Sequence, residues 1–215
     1  MAAAARRPGR PKGVQEDPRV RLDRLLAATE DAIRRHGPDV SMEQVAQVGE
    51  VSRSTLYDNF ENRAALVVAI VDRFGQPMLQ DLLTGLGEER TPEAIVRTGL
   101  RIYIDHVEAN PEVYRFVVRN IGGDDLFQGV SAVLGALVAA AMPADESASE
   151  IAEELGSAVF GAIVSATERW SDLGSPPRAD FERALADFVW GGLVAGGLPP
   201  VAAPIDLASA FAHLR

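Results

Sequence analysis

The stretch VSRSTLYDNF, residues 51–60, gathers side chains that hydrogen-bond nucleic acid: Arg53, Ser54, Thr55, Tyr57 and Asn59. A guanidinium, two hydroxyls, a phenol and a carboxamide are the groups that reach base edges and phosphate oxygens. Wound as a helix, the same residues put Val51, Leu56 and Phe60 on a core side and leave the polar groups on or beside the other. Asp58 is the awkward member, because a carboxylate near phosphate is unfavourable unless it accepts from a cytosine amine or points away. An ordinary amphipathic helix of a bundle would share this pattern, so the flanking elements decide between the two.

Those elements are strongly marked. Ser41, Met42, Glu43 and Gln44 form a capping box, in which the Ser41 hydroxyl accepts from the Gln44 amide and the Gln44 side chain reaches back. The short helix that follows buries Val45 and Val48 and ends near Gly49, and Ser52 caps the next one. Helix, tight turn and short helix over residues 41–60 make a helix-turn-helix, whose second helix lies in the major groove of DNA. Ahead of it, Asp17 and Pro18 open a helix of about twenty residues, in which Leu22, Leu25, Leu26, Thr29 and Ile33 recur until Gly37. Behind it, Asn62 caps a fourth helix carrying Leu66, Ile70 and Phe74.

Past Gly75 the signals loosen but stay helical. Thr91 and Pro92 open a helix with Ile95, Leu100, Tyr103 and Val107; Asn110 and Pro111 open another with Tyr114, Val117 and Val118, stopped by Gly122 and Gly123. Helices over 125–142, 146–173 and 178–197 and a short segment from Ile205 complete the chain. The predicted fold is all-α: a flexible basic arm (1–17), a helix-turn-helix unit (18–63) and a larger helical rear domain (64–215).

Composition narrows the function. The 215 residues are 47% hydrophobic, ample for a core, and contain no cysteine, which removes disulfides and thiolate metal sites and suits a reducing cytoplasm. The arginines near the start lead into Pro and Gly rather than an apolar run, unlike a signal peptide. Two uncharged runs, 126–144 and 188–205, are interrupted by glycine and proline and read as buried helices rather than membrane spans. Three scattered histidines, His36, His106 and His213, have no metal-ligand spacing, and no glycine-rich phosphate loop follows a strand; no catalytic residue, metal or cofactor is assigned.

Charge is unevenly placed. Residues 1–63 hold 11 Lys and Arg against 10 Asp and Glu, the remainder 10 against 21, for a net charge of -10. The densest positive cluster is RRPGRPKG, with Arg6, Arg7, Arg10 and Lys12. Two readings stand: a solvated tail, or an arm entering the minor groove beside the helix-turn-helix, extended by its prolines. Its Gly-Arg-Pro core resembles an AT-hook.

From Arg19 to Phe74 the sequence resembles the TetR family of bacterial transcriptional repressors, on the residues HGPDVSMEQVA and VSRSTLYDNFENRAALVVAIVDRF. The resemblance implies that Arg53, Ser54 and Thr55 face bases while Tyr57 and Asn59 grip phosphate. Ser41, Met42, Ser52 and Arg63 would add contacts at helix starts. One position departs from the family pattern: Glu50 stands where members usually have a turn glycine, and Gly49 comes one place earlier. A non-glycine residue there costs on the order of 1 kcal/mol, or the turn shifts by one residue.

In the rear, Ser157, Gly161 and Ser165, and Gly192 and Gly196, are small residues four apart, with Phe160 and Phe188 among the apolar groups around them. Such spacing lets helices approach closely, within one chain or between two. The family resemblance implies the second, a homodimer through the last two long helices, matching a palindromic operator with half-sites about 34–36 Å apart. It also implies a ligand cavity among the middle helices. Tyr103, His106, Tyr114, Arg119, Asn120, Glu168 and Trp170 are the candidate polar or aromatic anchors, and a small hydrophobic effector is the expected ligand.

Overall fold

The computed structural model describes residues 16–85, 91–120, 124–142, 146–201 and 203–206. Among them every regular element is a helix: α1 (Pro18–His36), α2 (Met42–Val48), α3 (Arg53–Asn59), α4 (Arg63–Gly85), α5 (Pro92–Ala109), α6 (Pro111–Asn120), α7 (Asp124–Ala141), α8 (Glu146–Leu173) and α9 (Arg178–Ala195). The fold is all-α, with a three-helix helix-turn-helix unit in front and a larger helical domain behind.

The helix starts are set locally. Asp17 accepts from the Arg19 amide at 2.8 Å, with Pro18 at the first helical position. Both halves of the Ser41–Gln44 capping box form, at 3.2 and 2.8 Å. Ser52 caps the Thr55 amide at 3.1 Å, Asn62 that of Ala65 at 2.9 Å, and Thr91 that of Ala94 at 3.3 Å. Each such bond satisfies an amide that the first turn cannot. At its other end α1 stops on Gly37, whose φ of 82° is open to glycine.

Leu25, Leu26, Thr29 and Ile33 of α1 are buried, as their spacing requires, whereas Leu22 remains 38% exposed. They share one core with Val45 of α2, Leu56 of α3, and Phe60. That core does not end with the helix-turn-helix: Leu66, Val67 and Ile70 of α4 and Val113, Phe116 and Val117 of α6 belong to it. Ion pairs reinforce the joint, Arg119 of α6 to Asp39 at 2.8 Å, and Arg73 of α4 to Glu30 at 2.9 Å and to Asp23. α4 continues through Gly75 to Gly85 with Pro77 inside it. Proline lacks the amide that would bond back to the Arg73 carbonyl, so the ladder is weakened where α4 leaves the front core.

A second core joins α5, α7, α8 and α9 around Leu100, Ile104, Ala152, Leu185 and Val189. Trp170 closes the α8–α9 turn, donating its indole Nε1–H to the Pro176 carbonyl at 2.8 Å and stacking on Phe181 with centroids 4.7 Å apart. The closest helix crossing is α7 on α8, at Gly135 and Gly156. A Cβ on Gly156 would stand 2.7 Å from the Ser131 carbonyl oxygen and from the Gly135 Cα, so backbone meets backbone. Gly156→Ala should therefore lose about 1–3 kcal/mol through overpacking, read as a lowered thermal midpoint; an unchanged midpoint would show that the crossing yields.

Candidate nucleic-acid interface and ligand cavity

α3 is held by a small apolar face and presents the rest to solvent. Leu56 is fully buried and Phe60 nearly so, while Ser52, Arg53, Ser54, Tyr57 and Asp58 are exposed and Thr55 and Asn59 half-buried. At its start three hydroxyls meet: Ser52 Oγ lies 2.7 Å from Ser54 Oγ and 2.8 Å from Thr55 Oγ1. Arg53 pairs with Glu43 of α2 at 2.7 Å. Both partners are exposed, so the pair is weak and can exchange for phosphate. The Glu43 carboxyl sits below its ordinary range, first through its own backbone amide and then through the Arg53 charge. Asn59 spends its Nδ2 on the Thr55 carbonyl at 2.7 Å, leaving its carbonyl oxygen outward-capable.

Met42 is placed differently from expectation: it is buried in the front core, only 6% exposed, so its side chain is not at the surface. Ser41 uses its hydroxyl in the expected capping box. Arg63 is exposed at the start of α4 but also donates to the Val40 carbonyl and lies 5.8 Å over the Phe116 ring, tying α4 to the loop before α2 and to α6. The arm residues Arg6, Arg7, Arg10 and Lys12 lie outside the described residues.

The turn between α2 and α3 keeps its register. Glu50 itself takes the left-handed conformation, φ 51°, and Gly49 is right-handed at φ -78°. Gly49 is small for another reason: a Cβ there would meet the Ala28 Cβ of α1 at 3.2 Å and the Val45 carbonyl oxygen at 3.3 Å. The glycine is used for contact between α1 and α2, and the strain falls on its neighbour.

Behind this unit α4–α9 enclose a cavity of about 400 Å3. Its wall is apolar: Phe74, Met78 and Leu82 from α4, Ile95 from α5, Leu137 from α7 and Leu193 from α9 are typical. Of the expected anchors Tyr103 and Tyr114 line it. His106, Arg119, Asn120, Glu168 and Trp170 are not among its lining residues, because each has other work or another place. His106 bonds Asp81 at 3.0 Å, Arg119 pairs with Asp39, Asn120 donates to the Phe116 carbonyl at 2.7 Å, Trp170 sits in the α8–α9 turn, and Glu168 is half-buried off the wall. Sequence reasoning sought polar anchors and so missed the wall itself; a run of apolar helical residues looks the same whether it fills a core or bounds a void.

The two phenols bond each other at 2.9 Å, edge to face, and Tyr114 donates to the Val164 carbonyl at 3.3 Å. Burial pushes both hydroxyls up, Tyr103 well above its ordinary range and Tyr114 to about 12; the Glu168 carboxylate adds to the same direction in each.

On α8 and α9 the expected interface residues divide. Ser165 and Gly192 are exposed, Phe188 is 68% exposed, and nothing approaches the Cβ positions of Gly161 and Gly192. Ser157 is half-buried. Phe160 is buried on the cavity wall, and a Cβ on Gly196 would meet Leu155 of α8 at 2.9 Å, so these two serve packing within the chain.

A helix-turn-helix carried on a helical domain with an apolar cavity defines the class: an all-helical helix-turn-helix fold. Residues 25–70 match the family described as bacterial regulatory proteins, tetR family. A described HTH-type transcriptional regulator of Mycobacterium tuberculosis, itself uncharacterized, is 35% identical over 101 residues, 46% of this chain and 43% of the relative. The chain thus matches less than half the length of that curated relative. A putative TetR-family regulator from Syntrophomonas wolfei shares the fold with a TM-score of 0.65 at 11% identity, covering 86% of this chain and all of that one (100%). A TetR-like regulator from a Rhodococcus species gives 0.61 at 19%, covering 84% and 99%. The chain has the TetR fold, and its front unit carries the tetR-family sequence, as the resemblance implied.

Two outcomes are expected. Glu50→Gly should gain up to about 1 kcal/mol, the relief of left-handed strain less the entropy glycine loses, and Gly49→Ala should lose stability; thermal unfolding of both variants ranks them. The folded chain keeps phenolic protons that the unfolded chain releases near pH 10. Stability should therefore be full below that pH and fall as pH rises from about 10 through about 12. Tyr103→Phe/Tyr114→Phe should flatten this loss, and phenolate absorbance titration checks it.

Proposed function

We propose that this chain is a transcriptional repressor of the TetR type, which binds operator DNA as a homodimer and lets go when a small hydrophobic effector fills the cavity. The observation that carries the reading is the polar face of α3, with Arg53, Ser54 and Tyr57 exposed and Thr55 half-buried, on a helix whose other side is locked into the front core. Arg53 exchanges Glu43 for DNA, Ser54 and Thr55 reach base edges, and Tyr57 and Asn59 reach phosphate. Ser52 holds the hydroxyl cluster in place, while Ser41, Met42 and Arg63 contribute by building the helix starts. Arg6, Arg7, Arg10 and Lys12 add electrostatic affinity from the arm, in or near the minor groove.

Dimerisation uses the outward faces of α8 and α9. Ile151, Leu173 and Phe188 are exposed apolar groups there, and Ala184, Gly191, Gly192 and Ala195 make a flat strip beside Phe188 on α9. Phe188 beside that strip of small residues is the apolar contact that a second copy would bury. α4 links the two activities, since Ile70 is in the front core while Phe74 and Met78 are on the cavity wall. A ligand acts by preferring a spacing of the two reading heads that the operator does not fit.

Gel-shift with genomic fragments tests the reading: a sequence-selective shift at moderate salt is expected, and its absence would sink the proposal. Arg53→Ala should weaken that shift by about 1–3 kcal/mol and relax base preference. Deleting residues 1–12 should weaken binding and reduce its salt dependence by up to about four charges' worth, with the dimer intact; an unchanged salt slope would make the arm a tail.

A further inference from the structure

The cavity offers a ligand very little polarity, and what it offers is specific. Among the described residues that line it there is no Arg, Lys, His, Asp or Glu, and the polar side chains among them are the phenols of Tyr103 and Tyr114. Their hydrogen bonds run in one sense. The Val164 carbonyl can only accept, so Tyr114 Oη donates to it at 3.3 Å, and Tyr103 Oη in turn donates to Tyr114 Oη at 2.9 Å. Both phenolic protons are committed. What Tyr103 has left is a lone pair.

A second polar group stands behind it. The Thr167 hydroxyl is fully buried, is not among the cavity's lining residues, and acts on the Tyr103 oxygen in the sense of a hydrogen-bond donor, although its geometry is imperfect, so it belongs with the phenol rather than with a ligand. A phenol oxygen whose own proton is committed can offer a ligand only acceptance, so it suits a group that donates, such as an alcohol. A carboxylate suits it badly. It has no proton to give, it meets no cation among the described lining residues, and the Glu168 charge is felt at both phenols. Desolvating an unpaired anion here would cost far more than the surrounding apolar contact returns.

We infer that the cavity takes an uncharged, mostly hydrocarbon molecule bearing one hydroxyl, which donates its hydrogen bond to Tyr103 Oη. The inference rests on the effector role proposed above and specifies the chemistry of that site. At about 400 Å3 the void is at the lower end of the roughly 300–1,000 Å3 of small-molecule sites, consistent with a single compact guest.

Calorimetric titration of the full chain with decanol, decanoate and decane at pH 7, without DNA, tests it. Decanol should bind, and decanoate at least about tenfold more weakly. In Tyr103→Phe/Tyr114→Phe, decanol should bind about three- to tenfold more weakly, the worth of one neutral hydrogen bond, while decane binding stays as in the wild type. Failure of decanol to bind, decanoate matching or exceeding it, or decanol binding unaffected by the double substitution would each overturn the inference. Should the variant not fold, the wild-type ratio of decanol to decanoate still decides. Gel-shift then separates this inference from the one beneath it. Decanol that binds without releasing DNA ends the effector reading and leaves the ligand chemistry standing; decanoate that binds better than decanol and releases DNA does the reverse.

Discussion

The structure depends on α4 being buried at two places at once. Its first turns, through Leu66, Val67 and Ile70, complete a core that α1, α2 and α3 are too short to close, and α6 caps the same core with Val113, Phe116 and Val117. Three helices, two of them of seven residues, bury too little area to offset the entropy of ordering them. The front unit is therefore stable as part of the larger body. The helix that supplies the missing area also walls the cavity, so the front unit and the cavity share a structural member by necessity of packing.

Electrostatics divides the labour in a complementary way. The acidic excess lies behind residue 63, and the cavity within that acidic body has no charged side chain among its described lining residues. The phenol pair keeps its protons because burial disfavours the phenolates and the nearby Glu168 disfavours them further. Around the apolar core that front and rear share, the outer contacts are polar and exposed, Arg119 with Asp39 and Arg34 with the Asn110 carboxamide at 3.2 Å. Such surface pairs contribute little stability, and they can rearrange at little cost.

Much of this was legible in the sequence where the physics is local. Asp17, Ser41, Ser52, Asn62 and Thr91 each cap the helix they announce, because a cap needs a partner only two or three residues away. The core face of α3 was equally legible, since Leu56 and Phe60 are fixed by one helical period. Tertiary facts were not. Leu22 has the spacing of a core residue but no neighbour to bury it, Met42 stands at a helix start yet points into the core, and Arg63 also reaches Val40 and Phe116. The resemblance implied a cavity among the middle helices, but its lining could not be read beyond Tyr103 and Tyr114, since emptiness between helices leaves no periodic trace. Glu50 shows the limit most sharply: the sequence posed a shifted turn or a strained one, and only the contact of Gly49 with Ala28 decides between them.

The crossing of α7 on α8 at Gly135 and Gly156 has a mechanical meaning. With backbone against backbone, these two helices lack the layer of side chains that lets neighbouring helices slide, and each supplies part of the cavity wall. On the proposed function, an occupant that needs more room would find it on the opposite side, where Pro77 leaves one bond of the continuous α4 ladder unmade. On that reading the stiff seam would work as an anvil, directing outward pressure from within the cavity into the helix that runs to the front unit.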